Sequence, residues 1–348
     1  MNINYRTFVL FTVLIAFLIA VSCTREIDFT EKITAPKLVI NGICALDSMV
    51  ALEALISKPI HGNMQELTLI NDANVFLYVD GVKTEKLVAD VNNPGLYKGK
   101  TKIEKGRKYA VEAEHAAYGK VHSSETLIGG KISIQNIALR SDSAQTENSE
   151  RIPDIKCTVK FIDPVDEDNF YRLIVSYRIG RAYKNTDESG NEKISITLID
   201  YHGLSESVES TDPVLLQNKT NDNMVFDESN SKYTLFTDEL INGKEYDLEF
   251  NLNRSMLYKL ADVDTTTGGF YRVIIELQSL SKEVYYYIKS IDGADNITEG
   301  LFTEPVQVYS NINDGIGIWG LYTSSVDTIR YGSFPYGGVV NSHLQLPY

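Results

Sequence analysis

Five histidines, three cysteines and a few groups of carboxylates are the side chains of this 348-residue chain from which chemistry could be built. His61, His115, His122, His202 and His343 lack His-x-x-x-His spacing, and no Cys-x-x-Cys pair accompanies them, so a zinc site is not indicated. His115 and His122 are near enough in sequence to meet across a hairpin, although solvated surface histidines are the simpler reading. Asp163, Asp166, Asp168 and Asn169 offer oxygens of the kind calcium takes, as do Asp262 and Asp264, but neither group runs on into a complete calcium loop with its closing glutamate. Asp163 and Asp168 could divide acid and base roles, yet a loop rich in carboxylates does not by itself make a pocket. No Gly-x-Ser-x-Gly elbow or phosphate-cradling glycine loop occurs. The expectation is a chain with no catalytic residues, no metal and no cofactor. A hydrolase stays as the less favoured alternative, because fold alone does not exclude an active site.

What remains is the thiol of Cys23. Arg6 leads into a fourteen-residue apolar run, Phe8 to Val21, interrupted only by Thr12. A spanning helix needs about 20 apolar residues, so this run is read as the core of a signal peptide over residues 1–22. Its end, Ala20-Val21-Ser22-Cys23, resembles the lipobox of bacterial lipoproteins, with Ala20 where leucine is commoner. The resemblance implies that Cys23 is lipidated and begins the mature chain; the alternative is ordinary cleavage that leaves a free thiol. Each buried methylene contributes about 0.8 kcal/mol, so two or three acyl chains hold a protein to a bilayer effectively without release. Removing residues 1–22 takes away Arg6 alone and leaves 32 basic against 47 acidic residues, a net charge of −15. Such a surface is repelled by nucleic acid and by anionic headgroups, so the expected partner at the membrane is the lipid reached through the anchor.

The elements that would carry any surface site are strands. Hydrophobic content of 43%, 21 tyrosines and one tryptophan describe a globular chain whose aromatics suit sheets and interfaces. Cys44 and Cys157 lie on the apolar side of alternating runs and read as small buried hydrophobes; a disulfide between them would have to link two domains. Residues 23–35 form a polar tether ended by Pro36. Lys37–Cys44, Met49–Ser57 and Asn74–Asp80 are strand candidates, and Asp80-Gly81 and Asn92-Asn93-Pro94-Gly95 are turn signals. Strands continue to Leu139, giving an N-terminal sandwich over 36–139.

Part of that unit is echoed 137 residues later. Gly106-x-x-Tyr109-x-Val111-Glu112 is answered by Gly243-x-x-Tyr246-x-Leu248-Glu249, and Tyr97 loosely by Tyr233. The pattern is similar to the turn and strand of immunoglobulin and fibronectin type III sandwiches, where a tyrosine at the strand start bonds back to the preceding corner. Residues 140–153 read as a linker without large apolar side chains apart from Ile152, and 154–348 as a second β-rich domain. Its strands are expected at Ile155–Ile162, Asn169–Ile179 and Phe270–Leu280, with a hairpin tip at Asp187–Asn191 and a polar surface excursion over Ser205–Asn223. The one helix is placed near 281–291, N-capped by Ser281, with Leu280 and Tyr285 as a hydrophobic staple and Asp292-Gly293 as its end. In the glycine-interleaved Gly315–Tyr322 segment, Trp319 is expected in the core rather than at a sticky edge. The predicted fold class is all-β: two immunoglobulin- or fibronectin-III-like β-sandwich domains, the second with insertions and a short helix.

Together with the lipobox, five segments resemble the Bacteroidota lipoproteins grouped as domain of unknown function 4249. They are Pro36–Gly42, Asp163-Pro164, Asn169-Phe170-Tyr171-Arg172, Ser281–Tyr287 and Pro305–Tyr322. The resemblance implies an outer-membrane lipoprotein, often encoded beside a TonB-dependent transporter, and it brings no catalytic residues. Arg25-Glu26-Ile27-Asp28 looks like a loose form of the signal that sends such lipoproteins to the cell surface, which favours the outward-facing leaflet. Ser48, Ser143, Thr265 and Thr328 each follow an aspartate in triplets that look like the Asp-Ser/Thr-apolar acceptor of Bacteroidota O-glycosylation. The expected function is a non-catalytic binding or accessory component of such a transporter, with a surface adhesion or structural module as the alternative. Ligand and oligomeric state stay open.

Overall fold

Alternation of apolar and polar residues sets most of the backbone into strands whose odd or even side chains line a core. The computed structural model describes residues 35–58, 68–142, 154–165, 167–186, 189–190, 192–204, 208–217, 233–252, 269–295 and 307–331. In β1 (Leu38–Ala45) the residues Leu38, Ile40, Gly42 and Cys44 face inward, and a turn at Asp47, with φ of 65°, returns the chain as β2 (Met49–Ile56). There follow β3 (Thr68–Leu69), β4 (Asn74–Val79), β5 (Val82–Ala89), β6 (Leu96–Lys102), β7 (Lys108–His115), β8 (Gly119–Ser123) and β9 (Thr126–Leu127). The Asp80-Gly81 turn joins β4 to β5 with both residues at positive φ, as its sequence predicts.

The second half contains β10 (Asn136–Asp142), β11 (Asp154–Ile162), β12 (Phe170–Thr186), β13 (Glu192–Leu204), β14 (Thr234–Thr237), β15 (Glu245–Asn251) and β16 (Gly269–Leu280). The short helix α1 (Pro213–Leu216) precedes β14; α2 (Lys282–Asp295), β17 (Ile312–Asn313) and β18 (Ile316–Tyr331) close the order. Two expectations need adjusting. The Ser205–Asn223 excursion is not wholly a surface feature: α1, capped by Asp212 and started by Pro213, sends Val214 and Leu215 into the core. The helix also runs through Asp292-Gly293 to Asp295, because a lone glycine weakens a helix without ending it.

The main sheet runs β13-β12-β16-β18-β1-β2-β6-β5-β4-β7-β8-β17, and β10-β11-β15 form a second sheet. From Pro36 onward the chain is one compact unit with two principal cores. One gathers β1, β2 and β4 to β8 around Tyr97 and Tyr109; the other lies between β10-β11-β15 and the β12-β14-β16 part of the main sheet. β18 serves both. Its first half pairs in parallel with β1 and puts Trp319 and Leu321 into the first core, while its second half pairs antiparallel with β16 and puts Ile329 into the second. These inward residues are all odd-numbered, so both cores lie on the same face of β18. The even-numbered face is the reverse side, and α2 packs there.

Candidate functional site

Asp163, one of the carboxylates that offered calcium ligands, is structural. Asp163 is 1% exposed; its Oδ1 accepts from the Tyr171 hydroxyl at 2.5 Å and its Oδ2 from the Gly243 N–H at 2.8 Å. Asp238, also buried, accepts from the backbone N–H of Asn169 at 3.0 Å. The two carboxylates thus tie the β11–β12 corner to the turn before β15. Burial raises the Asp163 carboxyl above its ordinary range, against the lowering effect of its two hydrogen bonds, and burial also pushes the Tyr171 phenol up. Among the described residues no group of three or more His, Cys, Asp or Glu side chains could hold a metal. Asp166, Asp262 and Asp264 lie outside those residues.

The other candidates are dispersed. His115 Nδ1 accepts from the Ala117 N–H at 3.1 Å, so Nε2 carries the proton it shares with Asp72 at 3.1 Å. His122 stands opposite Glu112, and His115 opposite Gly119, so the two histidines are not cross-strand partners. His202 falls within β13, whereas His61 and His343 lie outside the described residues, as do Cys23, Ser143 and Thr265. Ser48, half-buried in the β1–β2 turn, donates to the Ala45 carbonyl at 2.7 Å; Thr328 is half-buried in β18. Cys44 and Cys157 are free thiols in separate cores, both raised by desolvation.

A coherent surface forms around α2. Leu280, Val284, Tyr285 and Ile288 join Leu235 in a small apolar cluster, with Phe170, Tyr233, Tyr287 and Tyr322 packed against it. Gly320 makes this possible, since a Cβ there would run into Val284 Cγ2. Ser281 precedes the helix, but its hydroxyl accepts from the Leu321 N–H at 3.2 Å while its own N–H donates to the Leu321 carbonyl at 2.8 Å. The expected cap therefore anchors the helix to β18. Outward, Lys282, Tyr286 and Lys289 form an exposed stripe. Tyr286 is 39% exposed and its ring lies 5.5 Å from Tyr285, 6.0 Å from Phe170 and 6.0 Å from Tyr309. Lys282 Nζ is 6.0 Å from the Tyr286 ring centroid and Lys289 Nζ 5.7 Å from that of Tyr285. The Tyr309 N–H donates to Ser290 Oγ at 2.9 Å, which staples the 307–311 segment, with its exposed Val308, onto the helix. Behind the rings Arg172 lies 5.2 Å from the Tyr233 centroid; burial lowers the pKa of its guanidinium, and its Nε has no hydrogen-bond partner among the described residues. Tyrosine rings between flexible cations suit recognition; the arrangement lacks a nucleophile paired with a base.

Residues 24–328 match the family described as domain of unknown function (DUF4249). The chain belongs to that family. No curated protein and no solved structure matches it.

Three of the five segments that carry the DUF4249 resemblance meet at α2 and at the strands beneath it. Phe170 comes from one, Tyr285 and Tyr286 from the helix itself, and Tyr309 and Gly320 from the long closing segment. Pro36–Gly42 opens β1, which lies beside β18. Trp319 is fully buried in this DUF4249 chain, as expected, with its indole N–H donating to the Tyr109 carbonyl at 3.2 Å. Sequence reasoning missed Asn311, whose side chain holds the Trp319 backbone, and Asp212, which accepts from Val214 N, Tyr246 Oη and Glu249 N. Asp212-Pro213 is a helix-start signal that could have found the second.

Proposed function

We propose that this chain is a non-catalytic lipoprotein of the outer membrane, anchored through Cys23 and facing the cell surface. It works as a binding or accessory component of a TonB-dependent transporter. The single observation that supports a binding role is the α2 surface, where residues distant in sequence build an exposed Tyr286 flanked by Lys282, Lys289 and Val308. Asp163, one of the aspartates that suggested chemistry, is meanwhile engaged inside the fold, beside the buried Asp238. The two cores fit a pair of sandwiches related to immunoglobulin and fibronectin type III domains, which commonly serve as interaction modules.

The test is co-purification after detergent extraction of membranes that contain the tagged mature chain. A barrel-type transporter in the eluate, recovered in near-stoichiometric amount, is the expected result. Recovery of the chain without a transporter, but bound to whole cells or to a matrix protein, would favour a surface adhesion module instead.

A further inference from the structure

The apolar cluster beneath α2 ends on a polar row. On the reverse face of the main sheet Phe170, Leu280 and Tyr322 lie in register within that cluster, and the next row across the strands is Leu235, Arg172, Gln278 and Ser324. One row further stand Ile174, Glu276 and Val326, the last 54% exposed. Arg172 thus sets a guanidinium at the margin of an apolar cluster. Its Nε is shut off from solvent and has no hydrogen-bond partner among the described residues, while the group as a whole lies over the Tyr233 ring. The carboxylate on the neighbouring strand that could answer it, Glu276, accepts instead from Gln278 Nε2 at 2.8 Å. Elsewhere the exposed Lys83, Lys98, Arg107 and Lys120 each hold a carboxylate at 2.5 to 3.4 Å. The less hydrated Arg172 holds none among the described residues. Burying a cation without an ion partner and a donor without an acceptor is costly, so the position calls for an acceptor.

The surroundings define its chemistry. The planar fork of arginine takes carboxylate and phosphate oxygens in pairs. One guanidinium with Glu276 diagonal to it accommodates a single negative charge and opposes a second, which selects a carboxylate over a phosphate. Tyr233 and Glu276 both act on the Arg172 charge, Tyr233 acts on the Tyr287 phenol and Glu276 on that of Tyr322, so three phenols stand around the polar row. Burial raises Tyr287 and Tyr322, which keeps both hydroxyls protonated as donors. The exposed Val326 adds an apolar surface beside them. We propose that this row is a binding site for a small monocarboxylate with an aromatic body, its carboxylate received by Arg172 and its ring laid against the tyrosines and Val326. Glu276, held by Gln278, leaves the guanidinium to the ligand and turns dianions away. The site lies on the sheet and not on the outward stripe of α2, so it stands or falls independently of a transporter partner.

Magnetic resonance of the mature chain carrying isotope-labelled arginine tests the proposal, with the Arg172 Nε–H assigned through its own backbone. Benzoate should shift that resonance saturably and bind at least about tenfold more tightly than benzamide, its neutral isostere, a ratio that one charge-assisted hydrogen bond supplies. Equilibrium dialysis of radioactive benzoate should find one site in the wild type and none in Arg172→Gln, with unchanged Trp319 emission as the check of fold. Should that variant not fold, the wild-type titration alone decides. A resonance that ignores benzoate but moves in Glu276→Gln would mean that Glu276 closes on Arg172, and the site would be lost as a proposal. Equal affinity for benzamide would overturn it because charge is not read, and equal affinity for inorganic phosphate because any anion serves. Benzoate binding that survives Arg172→Gln in the folded chain would place the ligand elsewhere and overturn it too.

Discussion

Asn311 stands in for a β-strand at Trp319. Its Oδ1 accepts the Trp319 N–H at 2.9 Å and its Nδ2 donates to the Trp319 carbonyl at 2.8 Å, so one amide side chain supplies both halves of a ladder pair. The position explains the need. Trp319 is odd-numbered and points toward the β16 side of β18, but β16 ends at Leu280, opposite Tyr322. Without Asn311 a buried N–H at the junction of the two cores would be left unpaired, whereas the carbonyl would keep the Thr126 hydroxyl at 3.2 Å.

Asn311→Ala should therefore cost about 1 to 3 kcal/mol, the range for orphaning one buried donor. Trp319→Ala should cost about 3 to 5 kcal/mol, because it leaves a cavity where β18, β1 and β7 meet. Urea unfolding measures both. In the wild type the Trp319 emission should be blue-shifted and resistant to iodide; free quenching would contradict its burial.

The strands of both halves were legible because alternation is a local signal. Leu38, Ile40 and Cys44 show it, as do Ile155, Cys157, Val159 and Phe161. The glycine of the echo was legible too, since Gly106 and Gly243 have positive φ of 77° and 70°. The tyrosines were only half so. Tyr109 Oη accepts from Glu104 N at 2.8 Å and closes its own corner, but Tyr246 Oη donates to Asp212 at 2.7 Å across the sheet. A tyrosine in the right place does not specify what it bonds. The sharing of β18 was not legible at all, because a parallel pairing between Val39 and Ile316 leaves no local trace. The α2 surface was legible as segments and not as a surface: nothing in Asn169–Arg172 says that Phe170 will meet Tyr285.

The contact between Gly320 and Val284 predicts a coupled pair of substitutions. Gly320→Ala should destabilise by about 1 to 3 kcal/mol through overpacking against α2. Val284→Ala removes the methyl that the new Cβ would strike. The double variant should therefore be more stable than the sum of the single effects implies, and strict additivity in a denaturation cycle would mean that the two residues do not touch.

Asp163 predicts an unusual pH dependence. Its carboxyl is raised in the folded state, mainly by burial, so between the unfolded and folded values the native chain binds the extra proton. This contribution to stability is present below the ordinary carboxylate range and is lost as pH rises through the folded value. Asp163→Asn abolishes the titration while keeping an oxygen for Tyr171. Wild type should gain on the variant as pH falls from neutrality to just below 4, the reverse of the behaviour of a carboxylate in an ion pair. Unfolding free energies that diverge the other way would reject the assignment.

The anchor is tested by labelling. Radioactive palmitate should enter the wild-type chain and not Cys23→Ala, and the variant should leave the outer-membrane fraction. Incorporation into both to the same extent would exclude Cys23 as the acceptor.

Tyr286 separates a recognition surface from a merely structural one. Its ring touches three other aromatic rings, yet it is the most exposed of the tyrosines around α2 and fills no cavity. Tyr286→Ala should change stability by less than about 1 kcal/mol. If the surface receives the transporter, an aromatic at its centre flanked by cations is the expected hot spot, and the loss of affinity should be at least about 2 kcal/mol, roughly thirtyfold. Lys282→Ala, at the rim, should cost far less and mainly alter the salt dependence of association. Co-purification retained at full strength by Tyr286→Ala, with the fold intact, would place the partner surface elsewhere on the chain.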